Sequence, residues 1–278
     1  MMSKHRGKLL GAIASAALLV AILAPAAHAA TPAPGYSQFA GCPDPKTEAI
    51  GKGVEICLRA TIKSGSFKMG SKTVPIEKPI TLSGGTNVEL ENFVANSKGG
   101  MSHVKQKVPG GVVGLTGLTW LLELLGSNAL TLYAETEAAG LPVFKGFEGL
   151  SAPIKVHLIN PVLGNNCYIG SFANPIKLNL TTGTTSPPPP NKPISGHEAT
   201  ETVFDEELEI THLNNTKYVD NSFAAPGASG CVLTLFGFIP ISINGLVNSQ
   251  SGLPAAAGTN EAIQIVDTEA TEPHLVYP

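Results

Sequence analysis

Apolar and polar residues alternate cleanly along Val54-Glu-Ile-Cys-Leu-Arg-Ala-Thr-Ile-Lys63, which places Val54, Ile56, Leu58, Ala60 and Ile62 on one face of a strand. Glu55, Cys57, Arg59, Thr61 and Lys63 fall on the other face. Shorter strands are predicted at Ser66 to Met69, Thr73 to Glu77, Ile80 to Leu82 and Asn87 to Phe93. Gly65, Gly70, Ser83-Gly-Gly85 and Asn96 to Gly100 supply the turns between them. Alternation returns at Leu130 to Ala138, at Pro153-Ile-Lys-Val-His-Leu158 and at Asn174 to Leu180. Thr200 to Ile210 reads as one strand, with Thr202, Phe204, Glu206, Leu208 and Ile210 on one face and Asp205, Glu207 and Glu209 towards solvent; Thr211 to Asn215 then reads as a polar turn. Cys231 to Phe236 is short and apolar, and Ala262 to Val266 reads as the last strand.

Two stretches depart from this period. Over Val112 to Leu130, Leu115, Leu118, Leu121, Leu122 and Leu125 recur at helical spacing, which predicts a short helix or loop capping the core with Trp120 buried. A membrane-surface helix is disfavoured, because this stretch lacks the basic face that such helices carry. Pro240 to Asn248 predicts a helix beginning at a proline. The expectation is a mainly β protein: an antiparallel β-sandwich or barrel-like architecture with one or two short helices. Gly140 to Pro153 is rich in turn residues and offers an alternative division of residues 42–278 into two β domains.

The first residues bear on compartment. Lys4, Arg6 and Lys8 precede an apolar run from Leu9 to Leu23, and Ala27-His-Ala29 supplies small residues for cleavage, the layout of a secretory signal peptide over residues 1–29. The run is shorter than the roughly 20 residues of a spanning helix, so no transmembrane anchor is expected after cleavage. Pro32, Pro34 and Gly35 make residues 30–41 a flexible lead-in. Without the three basic leader residues the formal charge of −3 becomes −6, and Arg59 is the only arginine left. Nucleic-acid binding is argued against, because it needs many phosphate-neutralising cations.

Four cysteines allow three pairings. Keeping each bridge within its own half of the chain predicts Cys42 with Cys57 and Cys167 with Cys231. The tetraproline Pro187 to Pro190 predicts polyproline II, read as an ordered crossover between sheets.

Gly164-Asn-Asn-Cys-Tyr-Ile-Gly-Ser171, Asn174-Pro-Ile176, the run from Leu180 to Ile194, Val219-Asp-Asn-Ser-Phe223 and Gly252 to Asn260 resemble segments of uncharacterised secreted proteins of high-GC actinobacteria, most strongly from Gly164 to Asn260. The resemblance implies export and a compact domain. No catalytic residue is carried over from that group, which has no established activity.

Candidate chemistry is sparse. His197-Glu-Ala-Thr-Glu201 lacks the second histidine of the metalloprotease signature, and no Gly-x-Ser-x-Gly elbow, phosphate-binding loop or Cys-x-x-Cys occurs. No cofactor or metal is expected. Asp205, Glu206 and Glu207, with His157 or His212, are the residues a carboxylate-dependent secreted hydrolase would use if the fold gathered them. The preferred expectation is a secreted, non-catalytic binding or structural domain, soluble or loosely wall-associated, meeting an unknown cell-envelope or extracellular partner through loops around the second disulfide. Mass spectrometry of culture supernatant is expected to find an N-terminus near Ala30. Recovery only from membranes, starting at a lipidated Cys42, is the result that contradicts this reading.

Overall fold

A computed structural model describes residues 30–87, 93–235 and 238–278. The leader expected over residues 1–29 lies outside the described residues, as does most of the strand expected at Asn87 to Phe93. The first third of the chain forms β1 (Ile56–Met69), β2 (Lys72–Pro75), β3 (Ile80–Thr86), β4 (Gly100–Met101) and β5 (Lys105–Lys107). Two helices follow, α1 (Gly111–Thr116) and α2 (Trp120–Ala129). Then come β6 (Tyr133–Ala138), β7 (Val143–Lys145), β8 (Gly149–Ile159), β9 (Tyr168–Ile169), β10 (Ile176–Thr181), β11 (Glu201–Asp205) and β12 (Ile210–Asp220). The chain ends with β13 (Ala228–Ser229), β14 (Val232–Leu235), β15 (Ile239–Ser242), α3 (Asn244–Ser251), β16 (Glu261–Thr271) and α4 (Pro273–Val276).

The protein is mainly β, as expected. All strands except the β14–β15 hairpin join one antiparallel sheet of 14 strands, curled into a half-barrel. Its spine runs β8-β10-β12-β16-β1-β3, so the last strand sits at the centre with β12 and the first strand on its two sides. The four short helices among the described residues exceed the one or two expected.

The curl has a local cause. β1 and β12 each carry a bulge, between Ile62 and Ser64 and between Leu213 and Thr216; the β12 bulge lies opposite Asp267 of β16 and the β1 bulge a step further along that strand, opposite Val266 and Ile265. Asp267 pairs with the Lys63 ammonium at 2.8 Å and accepts the Asn215 backbone N–H at 2.8 Å. Lys63 also donates to Asn215 Oδ1 at 2.8 Å. A bulge inserts residues into one strand only and bends it, so two opposed bulges fold the sheet about β16. Gly65, expected as a turn, instead continues β1 past its bulge. Its φ of +136°, and the backbone of Ile263 lying where a side chain would begin, explain why glycine stands there.

Several boundaries differ from the sequence reading. Thr200 to Ile210 is a hairpin rather than one strand. Asp205 accepts the backbone N–H groups of Glu207 and Leu208 at 2.9 and 3.0 Å, and Glu209 takes φ +49°, so the chain reverses and β11 pairs with β12. Thr211 to Asn215, expected as a turn, lies inside β12, where pairing on both sides accommodates its polar residues at the bulge. Pro240 lies in β15, and the helix starts later, at Asn244. At Pro187 to Pro190 a turn at Pro189 and Pro190 replaces continuous polyproline II. This loop joins two strands of the same sheet and is held by Asn191, which donates to the carbonyls of Asn221 and Asn260 at 3.0 and 2.8 Å.

Gly140 to Pro153 stays within the sheet. Pro153 is tolerated inside β8 because β7 pairs with that strand up to Ser151 and β6 begins at Ile154, leaving no ladder bond on that flank for the missing N–H. Val112, Leu115, Leu121 and Leu130 do cap the core, but Trp120 is 44% exposed rather than buried, since α2 turns only its Leu121 side inward.

Both expected disulfides are present, Cys42–Cys57 and Cys167–Cys231. Cys57 lies on the face of β1 opposite Leu58, yet it is fully buried, because Phe39, Ile210, Val276 and Tyr277 build a second small core over it. Residues 30–41, the expected lead-in, belong to this cover: Ala33 donates to the Val276 carbonyl, and the Tyr277 hydroxyl donates to that of Cys42. In the loop-entropy account, the Cys167–Cys231 bridge, with a sequence separation of 64, restrains the unfolded chain by about 4 kcal/mol, against about 3 kcal/mol for Cys42–Cys57. Replacing both Cys167 and Cys231 by serine is expected to lower the urea-unfolding free energy by that larger amount. A loss under about 1 kcal/mol, within the range of ordinary surface substitutions, contradicts the assignment.

Candidate functional site

The concave side of the sheet holds a partly open, mainly apolar chamber of about 120 Å³. Alternation builds its walls: Leu58, Ala60 and Ile62 point inward from β1, Leu150, Ala152, Ile154 and Val156 from β8, and Leu178 and Leu180 from β10. Protein interiors normally pack to crystal density, so unfilled apolar space has a structural reason. Here Ala60, Ala134 and Ala152 stand on three different strands where larger side chains would fill it. An enclosed apolar void of roughly 150 Å³ is enough to hold a benzene-sized molecule, and this chamber approaches that size.

Three contacts close the open side. Gln106 of β5 stitches that strand to the segment between β2 and β3: its Oε1 accepts from the backbone of Glu77 and Lys78 at 3.0 and 3.1 Å, and its Nε2 donates to the Lys78 carbonyl at 2.7 Å. Phe93 packs on Phe144 of β7 at 5.9 Å between ring centroids. Gly84 makes room for the Phe93 ring, which lies 2.5 Å from where a Cβ would stand. The Tyr218 hydroxyl donates to the Phe147 carbonyl at 2.6 Å, and burial pushes its pKa up to about 12.

The acid and histidine residues singled out from the sequence do not gather here. Asp205 caps its own turn, and Glu206 and Glu207 are exposed in that turn. His212 faces Glu269 at 3.6 Å, beside the Arg59–Glu269 pair at 3.4 Å. His157 lies at the far end of the sheet: β10 joins β8 and β12 through Thr181, opposite Gly149 and Val219, and from there His157 and His212 lie in opposite directions. None of the five lines the chamber, nor the open cleft bordered by Glu148 and Glu198.

His157 belongs instead to a polar network on the convex side. Glu135 and Glu137 of β6 stand in register with His157 and Lys155 of β8. The Lys155 ammonium pairs with Glu137 and lies 4.1 Å from the Tyr168 ring and 4.9 Å from that of Phe172. His157 stacks on Tyr168 at 4.3 Å, and the Tyr168 hydroxyl donates to Glu137 at 3.3 Å. His103 reaches Glu135 at 2.8 Å. One ligand atom from each of His103, Glu135 and Glu137 lies within 4.8 Å of the others, but Lys155 already neutralises the Glu137 carboxylate that a cation would need. The pattern was present in the sequence as outward positions of two alternating strands; which strands pair was not.

Comparison with protein-family models, curated proteins and solved structures finds no match.

Burial alone would raise the Glu137 carboxyl, but the hydrogen bond and charge of Lys155, with the Tyr168 hydroxyl and His157, outweigh it and hold the group below its ordinary value. Its contribution to stability is therefore complete above the ordinary carboxylate range, near pH 4.3, and is lost as pH falls through the depressed folded value. Urea unfolding of Glu137→Gln is expected to show a flatter pH dependence than the parent below that range. Lys155→Met is expected to lose on the order of 3 kcal/mol at neutral pH, since it strands the carboxylate beside Glu135. Parallel acid limbs for parent and Glu137→Gln contradict this account.

Proposed function

We propose that this is a secreted, non-catalytic binding protein of the cell envelope that holds a small apolar molecule inside its curled sheet. The carrying observation is the chamber itself, partly open, about 120 Å³ in volume and walled mainly by aliphatic and aromatic side chains. Binding sites for small molecules are typically concave and apolar, with few polar groups. The two disulfides fit an oxidising compartment, and among the described residues no helix is long and apolar enough to cross a membrane. This reading moves the binding surface from the loops around Cys167–Cys231 to the concave face of the sheet. A hydrolase built on Asp205, Glu206 or Glu207 with His157 or His212 has less support, because Asp205, His157 and His212 are engaged locally in separate places and Glu206 and Glu207 are exposed in a turn.

Toluene is a suitable probe, being small and wholly apolar. Saturable toluene binding is expected by ligand-observed NMR. Ala152→Leu places extra methyl groups in the void, so it is expected to abolish that binding while leaving the thermal midpoint unchanged or higher. Absence of saturable binding to the parent protein, or equal binding to Ala152→Leu, contradicts the proposal.

A further inference from the structure

Six of the residues lining the chamber carry a polar side chain, and none carries a charge: Thr81, Gln106, Thr136, Tyr218, Gln264 and Thr268. Two of these have their polar groups engaged. The Gln106 amide closes the seam to Glu77 and Lys78, and the Tyr218 hydroxyl binds the Phe147 carbonyl. Gln264 differs from them. It is half-buried on the inward face of β16, in the same alternating series as Val266 and Thr268, and its carboxamide, like the hydroxyls of Thr81, Thr136 and Thr268, makes no hydrogen bond among the described residues, but it alone of these offers separate donor and acceptor atoms. Its neighbours in register are Tyr218 on β12 and Gly65 on β1. Glycine puts no side chain beside it, so the amide has an open flank.

A primary carboxamide presents donors and an acceptor together. It therefore complements an uncharged group that can also give and take a hydrogen bond, such as an alcohol, a phenol or an amide. An anionic ligand is poorly served. Without a lysine, arginine or histidine in the wall, a buried carboxylate would lose its hydration with no cation to offset the loss. Resting on the binding function proposed above, we infer that the chamber selects neutral molecules with an apolar body and one hydroxyl or amide group, and that Gln264 is the residue that reads that group.

Three ligands of one shape separate the possibilities: toluene, benzyl alcohol and benzoate, titrated by calorimetry or ligand-observed NMR against the parent protein, Gln264→Met and Glu206→Gln. Methionine keeps the length and volume of glutamine while removing its hydrogen-bonding groups. The Kd ratio of benzyl alcohol to toluene is expected to rise about three- to tenfold in Gln264→Met, the worth of one neutral hydrogen bond. It is expected to stay unchanged in Glu206→Gln, a substitution in the exposed turn between β11 and β12, and benzoate is expected not to bind the parent. An unchanged ratio in Gln264→Met, with toluene still bound, overturns the role of Gln264 and leaves the chamber reading standing. Benzoate binding the parent as tightly as benzyl alcohol overturns the selection for neutral ligands without requiring any variant. Failure of both toluene and benzyl alcohol to bind the parent overturns the chamber reading itself, and this inference with it.

Discussion

The shape of this protein rests on two bulges that flank β16 within about two residues of each other. Asp267 meets both, taking the Lys63 ammonium from one side and the Asn215 backbone from the other, so the bends in β1 and β12 are held in phase. With those bends out of phase the sheet would twist without enclosing a volume, because curvature in a sheet comes from such insertions rather than from regular strands. The chamber, its aromatic closure at Phe93 and Phe144, and the seam at Gln106 all depend on the two arms being brought towards each other.

That arrangement places a demand on folding. The first long strand pairs with the last from Cys57 opposite Thr271 to Lys68 opposite Glu261, so the centre of the sheet cannot form until the chain ends have met. Closing so long a loop is entropically unfavourable and is expected to make assembly slow. The same meeting of ends explains the second core. Once β1 and β16 are side by side, the segment before β1 and the turn of helix after β16 cover Cys57 and keep it dry.

The two faces of the curled sheet have opposite chemistry. Inward residues of β6 and β8 are Ala134, Thr136, Ala152, Ile154 and Val156; outward residues of the same strands are Glu135, Glu137, Lys155 and His157. The charged groups pair with one another and with Tyr168 on the convex side, and none enters the wall of the chamber. Titratable groups therefore meet on the convex side and not in the chamber, whereas in a catalytic cleft they converge on the substrate.

Much of this was legible in the chain. Alternation marks β1, β6, β8, β10 and β16 because a half-buried strand must show one face to the core, and the even placement of cysteines in each half pointed to the two bridges. Local chemistry was harder to read where it competed with that period. Asp205 capping its own turn, and the polar Asn214 and Asn215 at the bulge within β12, exchanged the expected strand and turn, since a side-chain cap and a bulge both break a period of two. Gly65 and Pro153 read as punctuation and proved to lie within strands, one at a bulge and the other at a gap between partners. By itself the sequence determined the β class, the inward and outward faces of its long strands and the covalent staples, because these follow from local periodicity and cysteine placement. The tertiary structure decided that Ala60, Ala134 and Ala152 face a common void, that Gln264 stands in it unpaired, and that His157 and His212 lie apart, because strand order and register are set by contacts between residues far apart in the chain.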